Sequence, residues 1–172
     1  QGAFDLSYIR AVPNFVLMSP KDENELQHMI KTAVACTSNP TAIRYPRGEV
    51  VGVTMDKELR ELPIGKGELL FSDSEQPQIL LIGLGLAVQT ALEAATLLRR
   101  EGVRVAAINA RFAKPLDEEL LTSWASRSRL TVTVEENTVL GGFGGALAEL
   151  LQQKRLHRDL LALGMPDRFV EH

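Results

Sequence analysis

From Gln78 onward the chain alternates short apolar runs with longer amphipathic stretches, and this alternation restricts its fold more than any other feature. "QILLIG" and "VRVAAINA" have few polar positions, as strands buried on both faces do. "RLTVTVEE" reads as a third strand and "DLLALGM" as a last one. Between them, "LAVQTALEAATLLRREG" reads as a helix that stops at Gly102. Its last turn carries Arg99 and Arg100, where cations suit the negative end of the helix dipole. "LDEELLTSWASRS" follows Pro115 with acids in its first turn, and "GGALAELLQQKRL" is the third helix. Strands that alternate with helices imply a mostly parallel sheet covered on both faces, here over residues 78–172.

The upstream part has its own rhythm. Ser19-Pro20-Lys21-Asp22 predicts a helix start with Ser19 as N-cap and Pro20 in the first helical position. Leu26, Met29, Ile30, Ala33 and Val34 then recur on one helical face, and the helix ends near Thr37 to Pro40. Short strands are expected at Asn14 to Met18 and at Thr41 to Tyr45. Residues 1–48 thus read as the last β-α-β unit of an α/β domain. One such unit does not close a core alone, so more chain is expected upstream. The start at Gln1, without Met, and the end at Glu171-His172 fit the same reading of a fragment. Residues 49–77, with Pro63, Gly65, Gly67 and "SDSEQPQ", read as a surface crossover holding one strand at Gly67 to Phe71.

Several functions are disfavoured. With 19 basic and 22 acidic residues the net charge is -3, and no Lys/Arg-rich run offers itself to nucleic acid. The apolar run from Ile79 to Leu86 is short and broken by glycines, so no membrane span is expected. Cys36 is the single cysteine, which excludes an internal disulfide framework. With no secretory signal visible, these features point to the cytosol. His28, His157 and His172 are scattered, with no metal-ligand spacing, so no protein-built metal site is expected. No nucleophile elbow appears, and Cys36 has no partner that marks it as a nucleophile.

Four stretches invite a chemical reading. Gly83-x-Gly85 lies between a strand and a helix, where a dinucleotide fingerprint sits. The third glycine position is Val88, however, and the next strand ends in Asn109 rather than an acid, which favours a tight turn. Gly141, Gly142, Gly144 and Gly145 precede a helix whose N-terminus suits an anion. No Lys-Ser/Thr follows, and a glycine hinge is the plainer reading. Glu135 and Glu136 adjoin them as paired acids, either catalytic or edge residues, with the latter favoured. In "IRYPRGE", Pro46 biases Tyr45 toward extended backbone, so Arg47 emerges at the carboxyl end of a strand before Gly48. A guanidinium there suits a phosphate or carboxylate, or forms a structural salt bridge; the spacing leaves both open.

The run "GAFDLSYIRAVPNFVLMSPKDENEL", followed by "AIRYPRG", resembles the 1-deoxy-D-xylulose-5-phosphate synthases, transketolase-like enzymes that use thiamine diphosphate. "INARFAKPLDEELL" and "TVEENTVLGGFG" resemble the C-terminal domain of the same family. The resemblance implies the end of a pyrimidine-binding domain at 1–48, a crossover at 49–77 and a transketolase C-terminal-type α/β domain at 78–172. It implies condensation of pyruvate with glyceraldehyde 3-phosphate, with loss of CO2, to a sugar phosphate that feeds isoprenoid, thiamine and pyridoxal synthesis. It also implies thiamine diphosphate and Mg2+ in the full-length enzyme, a homodimer, and a place in the bacterial cytoplasm or the plastid stroma.

The activating glutamate, the Mg2+-diphosphate motif and the histidine expected just before Gln1 have no counterparts in these residues. No catalytic, cofactor-binding or metal-binding residue is therefore carried over, and the chain without its N-terminal portion is expected to bind no cofactor and to be inactive. Arg47, of the Tyr-Pro-Arg-Gly motif, is the residue the resemblance assigns to the aldehyde's phosphate. Arg44 is expected to pack or pair with an acid, and Asp5, Tyr8 and Arg10 to brace a loop. Two alternatives stand. One is another transketolase-like enzyme, such as a 2-oxoacid dehydrogenase β subunit, which is expected to lack "RYPRG". The other is a non-catalytic module that uses 78–172 for subunit contact.

Overall fold

The computed structural model describes residues 2–168; Gln1, Glu171 and His172, singled out above, lie outside the described residues. In chain order the elements are α1 (Asp5–Ala11), β1 (Val16–Met18), α2 (Glu23–Ala35), β2 (Thr41–Ile43), β3 (Glu68–Ser72), β4 (Ile79–Gly83) and α3 (Ala87–Arg100). They continue with β5 (Val105–Asn109), β6 (Phe112–Lys114), α4 (Glu118–Arg127), β7 (Leu130–Thr138), α5 (Phe143–Gln153) and β8 (Asp159–Met165).

The larger sheet has the order β3-β5-β4-β7-β8. Its β5-β4, β4-β7 and β7-β8 pairs are parallel, as the alternation of strands and helices predicts, and β3 runs antiparallel to β5. Side chains of β4 and β5 divide between two cores. Leu80, Ile82, Ala106 and Ile108 face Leu121 and Ala125 of α4 and Phe143, Leu147 and Leu150 of α5. Leu81 and Val105 face Ala91 and Ala95 of α3. A sheet wet on one face would need polar residues at every second position; burial on both faces explains the unbroken apolar runs. Each fully buried Leu or Ile contributes about 1.5–3 kcal/mol. The strand expected at Gly67 to Phe71 forms at Glu68–Ser72 and borders this sheet.

The smaller sheet has the order β2-β1-β6. β1 and β2 are parallel with α2 between them, the expected β-α-β unit. β6 joins β1 antiparallel from far downstream. Its Phe112 is fully buried among Val16, Met18, Met29 and Leu62. Neither β6 nor α1 has a periodic signal of its own, because each is too short to repeat one.

One helix start differs from expectation. Ser19 is not the N-cap of α2; Asp22 is, and its carboxylate accepts from the Glu25 N–H at 2.7 Å. Ser19 is buried and its hydroxyl donates to the Arg44 carbonyl at 2.9 Å, so it is committed to the sheet instead.

Candidate functional site

Arg44 and Arg47 leave β2 together but have different surroundings. The Arg44 N–H donates to the Met18 carbonyl at 2.8 Å, which extends the sheet by one residue. Its guanidinium pairs with Glu136 just past the part of β7 that pairs with β4, lies 3.8 Å from Asp5 and is mostly buried. Arg44 is therefore an ion-pair residue that ties β2 to β7. Arg47, beyond Pro46, is exposed and has no hydrogen bond or ion pair with any of the described residues. Its guanidinium donors remain available to an anion.

The chain arches from Arg44 to Val51 over the carboxyl ends of β4 and β7. A cleft of about 440 Å3 opens there, lined by Glu49 and Val51 of the arch, Leu86 and Ala87 at the start of α3, and Val134 and Glu136. The chain leaves β4 toward β5 and later returns to the other side of β4 as β7, so the cleft lies at a topological switch point. Glu49, Glu93, Glu135 and Glu136 line it and make it unfavourable for a phosphate. Arg47 is not among the residues that line it.

The glycine-rich stretches serve packing. A Cβ on Gly83 would lie 2.5 Å from the Val88 Cα, and Gly85 has φ +67 with Ser19 against it. This is a tight strand-to-helix turn. Asn109 donates to the Glu25 carboxylate at 2.8 and 3.1 Å, so it does not face a ribose. At the start of α5, the Glu135 carboxylate accepts from the N–H groups of Phe143 at 2.8 Å and Gly144 at 2.9 Å. The chain's own carboxylate thus occupies the place a phosphate would take at that helix N-terminus. Burial raises the Glu135 pKa, opposed by the Gly144 and Phe143 amides and by the nearby Arg10 and Arg44. Glu135 and Glu136 are thus not edge residues: the first caps a helix and the second holds Arg44.

Arg10 donates to both Glu149 oxygens, at 2.8 and 3.0 Å, and to the Gly141 carbonyl at 2.9 Å. It braces the glycine-rich loop. The hydrogen bond with Glu149 raises the Arg10 pKa against its partial desolvation. Tyr8 is exposed, while Asp5 begins α1 and faces Arg44.

A charged cluster between the two sheets has no local sequence signal. Glu25, buried, accepts from Arg111 Nε at 2.7 Å, from Asn109, and from the Lys21 N–H at 2.8 Å. Glu68 accepts from Arg111 at 2.9 Å and from Lys21 Nζ at 3.1 Å. Apart from Lys21, four residues before Glu25, the partners lie far apart in sequence, so only the fold brings them together. His28 is likewise a structural histidine, buried between Asp56 and the Arg60 N–H.

Among the described residues no group of three His, Cys, Asp or Glu side chains is placed to hold a metal ion. With Glu135 filling the α5 N-terminus and acids lining the cleft, neither place fits Mg2+ with a diphosphate.

The family model described as transketolase, C-terminal domain, matches residues 67–172, and that of the transketolase pyrimidine binding domain matches residues 1–52. The chain is similar to 1-deoxy-D-xylulose-5-phosphate synthase of Heliobacterium modesticaldum, 48% identical over 171 residues, which is 99% of this chain and 26% of the relative. It is 50% identical over 171 residues to 1-deoxy-D-xylulose-5-phosphate synthase 1 of Geobacter sulfurreducens, again 99% of this chain and 26% of the relative. Among solved structures it is similar to a split gene transketolase described as an inactive beta4 tetramer. That match has a TM-score of 0.82 and 30% identity, and covers 97% of this chain and 54% of the other. The mostly parallel sheet of this chain, its β-α-β unit and these matches agree: the chain belongs to the transketolase family, and carries the end of a pyrimidine-binding domain followed by a C-terminal domain.

Proposed function

We propose that this chain is part of a thiamine-diphosphate-dependent transferase that condenses pyruvate with glyceraldehyde 3-phosphate, with loss of CO2, to 1-deoxy-D-xylulose 5-phosphate. The observation that carries this reading is the 48% and 50% identity to two such synthases over 99% of the chain. In the full-length enzyme, thiamine diphosphate and Mg2+ bind the N-terminal portion and the adjoining pyrimidine-binding domain, and two copies pair as a homodimer. We place the boundary between this chain's two units within residues 49–77, ahead of β3, whose pairing with β5 supports it.

Arg47 is the residue this chain offers to the substrate, as the anchor for the phosphate of the aldehyde. Its exposure, its position beyond β2 and its lack of partners among the described residues support this role. A charge-assisted hydrogen bond contributes about 1.5–3 kcal/mol. Loss of two raises the KM for the phosphorylated substrate about 100-fold or more. The test is Arg47→Ala in the full-length enzyme. Its KM for glyceraldehyde 3-phosphate should rise while that for pyruvate stays unchanged; equal effects on both would make Arg47 structural. In the same assay the 172-residue chain alone should form no product, because among its described residues it offers an anchor for one substrate and no place that fits the cofactor; turnover by it would refute that division of labour.

A second reading is a non-catalytic subunit-contact module. It is favoured by the description of the split gene transketolase as an inactive tetramer. Chromatographic sizing of the chain tests the module: a stable oligomer supports it, and a monomer opposes it.

A further inference from the structure

The crossover after Arg47 has no regular secondary structure over residues 51–62, yet its backbone is held along one face of α2. The Glu23 carboxylate accepts from the N–H groups of Val51, Gly52 and Val53 at 3.1, 2.7 and 2.8 Å. Asn24 accepts from the Asp56 N–H at 2.7 Å, and Gln27 donates to the Asp56 carbonyl at 3.1 Å. His28 Nδ1 accepts from the Arg60 N–H at 3.1 Å, so its proton lies on Nε2 and is donated to the Asp56 carboxylate at 2.8 Å. Thr32 accepts from the Leu62 N–H at 2.8 Å. Positions 23, 24, 27, 28 and 32 form a stripe that winds along α2 over about half its circumference, and they meet the crossover in chain order. The side chains of α2 therefore satisfy backbone donors that a strand would have satisfied.

This arrangement bears on Arg47. On one side of it, Arg44 is fixed by Met18, Glu136 and Asp5. On the other, Val51–Val53 are fixed by Glu23. Residues 45–50 between these pins make no backbone hydrogen bond to the other described residues. Pro46 stiffens this arch from within. The reach of Arg47 is therefore set by its two anchors, and the second anchor depends on one carboxylate. That carboxylate is held below its ordinary pKa by its own N–H and by those of Val53, Gly52 and Val51, against some desolvation, so it is ionised at neutral pH.

We infer that Glu23 is a positioning residue for Arg47: it closes the far end of the arch and so holds the guanidinium where a substrate phosphate meets it. This inference rests on the reading of Arg47 as the phosphate anchor, and the test separates the two. In the full-length enzyme, Glu23→Ala should raise the KM for glyceraldehyde 3-phosphate about tenfold, with kcat and the KM for pyruvate little changed. Glu23→Gln keeps the oxygen that serves Gly52 and Val53 and should rescue part of that loss; it also stands in should the alanine variant fail to fold. The Glu23→Ala/Arg47→Ala double variant should have the same KM for the phosphorylated substrate as Arg47→Ala alone, because an arch without its guanidinium has nothing left to position. Three results would overturn the inference while sparing Arg47: no change in Glu23→Ala, equal losses for both substrates, or a Glu23→Ala effect undiminished in the Arg47→Ala background. Arg47→Ala without effect would overturn the anchor reading, and with it this one.

Discussion

Glu135 shows at the scale of one residue why a motif needs its surroundings. Glycines ahead of a helix, beside paired acids, suit either an anion site or a turn. Here a carboxylate eight residues upstream of Phe143 fills the helix N-terminus. Gly142 is required by that approach, since a Cβ on it would lie 2.3 Å from the Glu135 carboxylate, whereas a Cβ on Gly144 would meet Ala162 and Thr133 at 2.7 Å. Glu135→Ala leaves the Phe143 and Gly144 amides buried without their acceptor. The loss should be about 1–3 kcal/mol, read from the urea midpoint at unchanged slope. Glu135→Gln, which keeps one acceptor oxygen, should lose less; an unperturbed alanine variant would show that solvent replaces the cap. Arg47 was legible in the sequence as a cation at the carboxyl end of a strand, because proline and glycine on either side constrain it locally; the choice between an anion and a salt bridge was not, since pairing depends on residues that only the fold brings near. Glu23 was not: its partners are backbone amides, which have no residue identity to recognise.

At the scale of elements, legibility followed periodicity and context: β1 and β2, as short as β6, were legible because a periodic helix, α2, lies between them. α3, α4, α5, β4, β5, β7 and β8 each repeat a period often enough to show in the sequence, and each forms near its expected place. α1 and β6 do not, because their conformations come from what they pack against. β6 is placed by β1 and by the burial of Phe112, and the turn before it by Arg111 at φ 59. Arg111 is held in turn by Glu25 and Glu68. Removing the Glu25 carboxylate would leave Arg111, only 14% exposed, with one partner fewer and Asn109 without its acceptor. Breaking a buried pair from one side costs about 3–5 kcal/mol. Glu25→Ala should approach that loss by urea denaturation. Glu68→Ala, whose carboxylate is 37% exposed, should cost much less. Equal costs would mean that the cluster is solvated.

At the scale of the whole molecule, the two sheets share a core although the family divides the chain between two domains. Leu6 of α1 and Leu17 of β1 belong to the same buried cluster as Leu80, Ile82 and Phe143. Arg44–Glu136, Arg10–Glu149 and Arg111–Glu25 cross between the same two units, and β6 completes the smaller sheet with a strand from the downstream half. A β-α-β unit with so little core of its own gains most of its burial from its neighbour, so it has no reason to persist when the larger sheet melts. Unfolding should therefore be a single transition. Trp124, the single tryptophan, reports on α4, and far-UV circular dichroism on all helices; the two curves should coincide in urea. Leu17→Ala, at a fully buried position of the shared cluster, should shift both curves together by about 2–5 kcal/mol. A dichroism change that precedes the Trp124 transition, or a Leu17→Ala shift confined to it, would show that the smaller sheet unfolds on its own and that the contacts between the units are dispensable to the larger one.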